Sequence, residues 1–179
     1  MDITPMLKQM ISAKRVKAGF YTNAFNDRTL LETLLQKRLP VAQQMVRLHL
    51  YLSPLVLTEL SIKLYREGWE DLAIQQYLQA FRFRVMSYTE RPAYLVARLV
   101  AMENIPFREH ARDLMIAAQY LQERCVIITE NVKHFAWATL ENGTVKDVLG
   151  VSEGEEDKEQ CQLVYTPAQF LAEIKQIGE

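Results

Sequence analysis

Two carboxylates of this sequence stand beside apolar runs. Glu59 lies in the turn Leu55-Val56-Leu57-Thr58-Glu59-Leu60, and Asp113 abuts Leu114-Met115-Ile116-Ala117-Ala118. A carboxylate next to a buried stripe loses hydration, so it needs a partner, a proton or a metal ion. A third polar group, Thr129-Glu130-Asn131, directly follows the short β run Cys125 to Ile128. That order carries oxygen-bearing side chains to the carboxyl edge of a sheet, where ligands bind in open α/β folds. Plainer readings stand beside these. Glu59 can pair with Lys63 one turn later, and Asp113 sits in the first half of its helix, where negative charge suits the macrodipole.

Other chemistries find little support. His49, His110 and His134 have no metal-ligand spacing among themselves, and His134 reads as packing beside Phe135 or facing solvent. No Ser or Cys sits in a nucleophile motif, and the six glycines form neither a dinucleotide fingerprint nor a P-loop. Phe81-Arg82-Phe83-Arg84 interleaves aromatics and arginines as a nucleic-acid surface can, but the same alternation describes a strand with one buried face. Trp69 and Trp137 are assigned to packing.

Short β runs alternate with amphipathic helices, which predicts a parallel sheet covered on both faces. A first strand, Lys17 to Thr22, leads into a helix from about Asp27 to Lys37 with Leu30, Leu31, Leu34 and Leu35 at helical spacing. Asn26 or Asp27 is its expected N-cap. Pro40 breaks it, and a further helical segment is expected to about Leu48. His49 to Ser53 then reads as a short strand, and Ser53-Pro54 as the start of a helix that stops at Gly68. Helices follow over Trp69 to Phe81, Arg91 to Glu103 and Arg108 to Glu123, with a strand expected over Arg84 to Tyr88. The segments CQLVYTP and AQFLAEIKQI supply the last strand and helix.

The 179 residues suffice for one domain with a substantial core. No apolar run approaches the roughly 20 residues of a membrane span, and no secretory leader is evident, so a cytoplasmic protein is expected. Free thiols are then expected for Cys125 and Cys161. The formal charge of −1 conceals an asymmetry. Residues 1–98 carry 14 Lys/Arg against 8 Asp/Glu, and residues 99–179 carry 7 against 14. Much of the acidity falls in 143–160, with 6 acids and 2 bases, which reads as a solvated, mobile loop.

Glu59 on an early helix, Asp113 on a late helix and Thr129-x-Asn131 after a strand, in that order, resemble the PIN-domain family, the nuclease fold that includes VapC-type toxins. The resemblance is carried by SPLVLTEL (53–60), RDLMIAAQYL (112–121) and VIITENVKHF (126–135). VYTPAQFLAEI (164–174) is similar to the family's closing strand and helix. Covering residues 17–174, it implies a single PIN-like domain over 1–179, an α/β/α sandwich around a parallel sheet of four or five strands.

The resemblance also implies metal-dependent cleavage of RNA. Acids from separate elements hold Mg²⁺ or Mn²⁺, hard ions that take oxygen ligands. The ion activates a water and stabilises charge building on the phosphate. Carried over, Glu59 and Asp113 are the metal-holding carboxylates, and Thr129 and Asn131 are the polar group that orders waters, many members having Asp at the position of Asn131. Thr22 and Asn23, on the substrate side, match the end of the family's Asp-Thr-Asn motif. Tyr21 stands where that motif has its Asp, and a neutral phenol removes one charge from the site. Asp27 or Glu130 can compensate, although Asp27 reads as an N-cap and Glu130 as an exposed loop residue.

Two expectations follow. One is a VapC-like ribonuclease with a depleted acidic site, favoured by Glu59 and Asp113. The other is an inactive PIN-like module that binds RNA or a protein partner, favoured by Tyr21. A toxin-like member implies a small antitoxin-like partner, and the family often forms homodimers.

Overall fold

The computed structural model of the chain describes residues 10–11, 13, 15–38, 47–139, 141–150 and 163–175. Five strands are present among them: β1 (Arg15–Phe20), β2 (Arg47–Leu52), β3 (Arg84–Val85), β4 (Val126–Ile128) and β5 (Val164–Tyr165). Every pairing is parallel, and the sheet order is β3-β2-β1-β4-β5. The chain moves one way across the sheet from β1 to β3 and the other way from β3 to β5. Because such crossovers are right-handed, that reversal puts the connecting helices on opposite faces.

Helices α1 (Arg28–Arg38) and α7 (Pro167–Lys175) pack together. Helices α4 (Glu90–Met102), α5 (Phe107–Gln122) and α6 (Gly143–Leu149) all pack against one another. The result is the expected α/β/α sandwich with a central parallel sheet. Helices α2 (Pro54–Arg66) and α3 (Asp71–Ala80) connect β2 to β3. Among the described residues, no helix is long and apolar enough to cross a membrane.

Local signals explain several element ends. Asp27 caps α1, its Oδ1 accepting from Leu30 N–H at 2.8 Å. Ser53 caps α2, its Oγ accepting from Leu55 N–H, with Pro54 in the first turn. Gly68, at φ +87°, turns the chain after α2.

Strand β1 organises the rest because its two faces do different work. Val16, Ala18 and Phe20 are fully buried, and Phe20 meets Phe170 of α7 edge-on. Lys17, Gly19 and Tyr21 face α5 instead. Lys17 Nζ donates to the Glu123 carbonyl, Gly19 lies under the Tyr120 ring, and Tyr21 reaches Asp113. Tyr120 then locks the register, donating to the Phe20 carbonyl at 2.6 Å and accepting from Ser53 N–H at 3.1 Å.

The structure corrects three readings. Gly143–Leu149, expected to be part of an acidic loop, is helix α6, which buries Thr144, Val145 and Leu149. Asn142 caps it through Val145 N–H, and Gly150 at φ 68° ends it. Residues 151–160 of that loop, and Cys161, lie outside the described residues, as do 39–46, where a helical segment was expected. Leu48, its expected end, belongs to β2. The strand expected over Arg84 to Tyr88 shortens to Arg84–Val85. Phe81 and Phe83 pack against each other, while the intervening Arg82 takes the left-handed φ of 53°.

Candidate functional site

Tyr21, Thr22 and Asn23 leave the carboxyl end of the central strand, where a backbone bond from Tyr21 N–H to the Ile128 carbonyl extends the ladder by one residue. Helix α2 brings Glu59 to Thr22. Helix α5 brings Asp113 to Tyr21, and the close approach at Gly19 sets that helix against the strand. Thr129, Glu130 and Asn131 leave β4 alongside. The expected site residues therefore gather on one edge of the sheet.

Their contacts are mutual. Thr22 Oγ1 donates to Glu59 Oε2 at 2.5 Å, and Tyr21 OH donates to Asp113 Oδ1 at 2.5 Å. Arg112 lies between the two acids, with Nη1 at 2.6 Å from Glu59 Oε1 and Nε at 3.6 Å from Asp113 Oδ1. His134 Nδ1 is 3.2 Å from Asp113 Oδ2 and donates to it when that nitrogen carries the proton. Asn23 and Thr129 fasten the neighbouring turn. Asn23 Oδ1 accepts from Glu130 N–H at 3.1 Å, and Thr129 Oγ1 accepts from Asn131 N–H at 3.1 Å. Thr129 is fully buried, whereas Glu130 and Asn131 face solvent.

Glu59 does not pair with Lys63, as its helical spacing allowed; Lys63 Nζ donates to Asn26 Oδ1 instead. Two members of the cluster, Arg112 and His134, are not marked by any motif spacing in the sequence. Arg112 carries no signal along the chain because neighbours on a helix do not face the same way, and only the approach of α2 turns its guanidinium back between the acids. His134 faces solvent, one of the two readings of its sequence context, and the 3₁₀ turn Val132–Phe135 after β4 also sets its ring beside Asp113. The one sequence signal for either was proximity to the motif residues.

Electrostatics follow from this packing. Burial works against the charge of Arg112, but Glu59 and then Asp113 hold its pKa above the ordinary value. Burial, then the bond to Asp113, pushes the Tyr21 phenol far above its ordinary range. An unfolded chain releases that proton near pH 10, whereas the folded chain retains it. The stabilisation is therefore complete below about pH 10 and declines as pH rises further, by up to about 1.4 kcal/mol per pH unit. Urea midpoints measured between pH 10 and 11 should fall less steeply for Tyr21→Phe than for the wild type. Equal slopes would mean that the folded phenol titrates as it does in water.

All four carboxylate oxygens of Glu59 and Asp113 already face donors. Among the described residues, no group of three or more His, Cys, Asp or Glu side chains is arranged to hold a metal ion. A hard divalent ion requires several oxygen ligands, and the guanidinium between the acids would repel it. As arranged, the donor set does not fit Mg²⁺ or Mn²⁺.

No family model matches the sequence, and no curated protein matches it. Solved structures are similar, among them two toxin–antitoxin complexes by their names. One is VapBC2 from Rickettsia felis bound to a DNA fragment from their promoter, with a TM-score of 0.48 and 14% identity, covering 84% of this chain and 98% of that one. The other is VapBC-1 from nontypeable Haemophilus influenzae, with a TM-score of 0.43 and 22% identity, covering 67% of this chain and 90% of that one.

Proposed function

We propose that the chain is a PIN-like domain that binds RNA at the carboxyl edge of its sheet, with Arg112 in the place of a resident divalent ion. The position of Arg112 carries this reading. Its ion pairs engage Nη1 and Nε, and 57% of its side chain is exposed. A guanidinium has five N–H donors in a fixed fork, so donors remain to meet a phosphate. Lys133 and His134 are exposed on the turn after β4, and His134 Nδ1 is 3.2 Å from Asp113. Glu59 and Asp113 hold the guanidinium in position, and Tyr21 supplies to Asp113 a proton where the family's motif has a further carboxylate.

The ribonuclease reading rests on a different observation, the convergence of Glu59, Asp113, Thr22, Asn23, Thr129 and Asn131 on one edge. It requires Arg112 to swing away so that Mg²⁺ or Mn²⁺ can enter. A small antitoxin-like partner and a homodimer belong to that reading.

One set of assays separates the two. The wild type in EDTA should retain a mixed RNA pool on a filter at low salt, with affinity falling as salt rises. Arg112→Met should weaken retention by about tenfold, as expected for a lost charge-assisted contact. Addition of Mn²⁺ should produce no cleavage. Cleavage that Asp113→Asn abolishes would establish the ribonuclease, and no retention at low salt would overturn the RNA-binding reading.

A further inference from the structure

One carboxylate joins two different surfaces. Asp113 Oδ1 lies 3.6 Å from Arg112 Nε, and Asp113 Oδ2 lies 3.2 Å from His134 Nδ1. The guanidinium and the imidazole therefore flank the same acid, and 51% of the His134 side chain is exposed. Past His134 stands His110, one helical turn before Asp113 on α5. The two rings meet edge to face, with centroids 6.4 Å apart and planes inclined by 64°. In such a pair the ring that presents its edge keeps both faces uncovered by the other. Phe107, one further turn towards the start of α5, is 46% exposed.

His134 is fixed before any ligand arrives. Asp113 holds its ring, and Trp137 Nε1 donates to its carbonyl at 3.1 Å. Its neighbour Phe135 is buried edge-on against Tyr21. A ring held in this way loses little freedom on stacking. The phenyl of Phe107 adds apolar surface that a flat ligand would remove from water.

A guanidinium beside open rings has the chemistry of single-strand recognition. The cation meets a phosphate, and a base free of its stack lies on a ring. A duplex keeps its bases stacked on one another and offers such rings nothing.

We propose that Phe107, His110 and His134 form a stacking platform for unpaired bases of the RNA whose phosphate Arg112 holds. The platform presupposes the RNA-binding reading above and adds selection against duplex RNA.

Fluorescence anisotropy on the full chain, in EDTA and at matched salt, compares a short mixed-sequence RNA strand with its perfect duplex. The single strand should bind about tenfold more tightly. His110→Ala and Phe107→Ala spare the groups bonded to Arg112. Each should weaken the single strand by roughly five- to tenfold and leave the duplex unchanged. His110→Phe and Phe107→Tyr should keep single-strand binding, because the ring stacks whatever its charge. Arg112→Met should weaken both RNAs. Equal affinity for strand and duplex, or a loss in His110→Phe as large as in His110→Ala, overturns the platform and leaves the phosphate contact of Arg112 standing. Binding of neither RNA at low salt overturns the RNA-binding reading and the platform with it.

Discussion

Replacement of Gly19 by alanine is expected to destabilise the chain by at least about 3 kcal/mol. A Cβ at Gly19 would fall deep inside contact distance of Tyr120 Cγ and Cδ1. Relief by rotation is blocked because the clash is at the root of the ring. The ring is fully buried, and its hydroxyl is bonded to Phe20 and Ser53. Helix α5 must therefore move off β1 and take Asp113 away from Tyr21. Urea denaturation of Gly19→Ala, Tyr120→Leu and the double variant tests this. The double variant should be more stable than the sum of the two single losses predicts. Simple additivity, or a Gly19→Ala loss below about 1 kcal/mol, would mean that the close approach does not set the helix.

Tyr21→Asp should have a comparable effect that depends on the buffer. The substitution removes a phenol that is 3% exposed, packs edge-on against Phe135 with ring centroids 5.1 Å apart, and donates to Asp113. It sets a second carboxylate beside the first with little water to separate them. In EDTA the expected loss is about 3–5 kcal/mol. In millimolar Mn²⁺ part of that loss should return, because an ion that binds only the folded chain stabilises it by mass action. The wild type should show no such dependence on Mn²⁺. Melting curves with and without the ion decide the matter, and a Tyr21→Asp variant indifferent to Mn²⁺ would mean that this edge cannot be reconverted by one residue.

Much of the architecture was legible because its signals are local. Leucines at helical spacing, Asp27, Ser53-Pro54 and Gly68 each act within a few residues of the element they define, and the structure keeps all of them. Helix α6 is not legible in the sequence because its apolar set is small. Val145 and Leu149 recur one turn apart inside a stretch dominated by acids, and only packing against α5 reveals the buried face. The site divided in the same manner. Glu59 and Asp113 stand out by residue type against apolar neighbours, whereas Tyr21 is marked only by the resemblance, as the residue in place of the family's Asp. Arg112 and His134 acquire meaning only when α2, α5 and the turn after β4 meet, and no spacing along the chain encodes that meeting.

The sheet narrows from its centre. The inner strands β1 and β2 span six residues each, whereas the outermost strands β3 and β5 span two among the described residues. An outer strand of two residues offers very little backbone on which another chain could extend the ladder, and Arg84 places a charge on one of those rims. The fold thus resists growth by edge-to-edge stacking. Among the described residues, a copy of this chain would find more to contact on helix and loop surfaces, where side-chain identity rather than open backbone decides what is admitted.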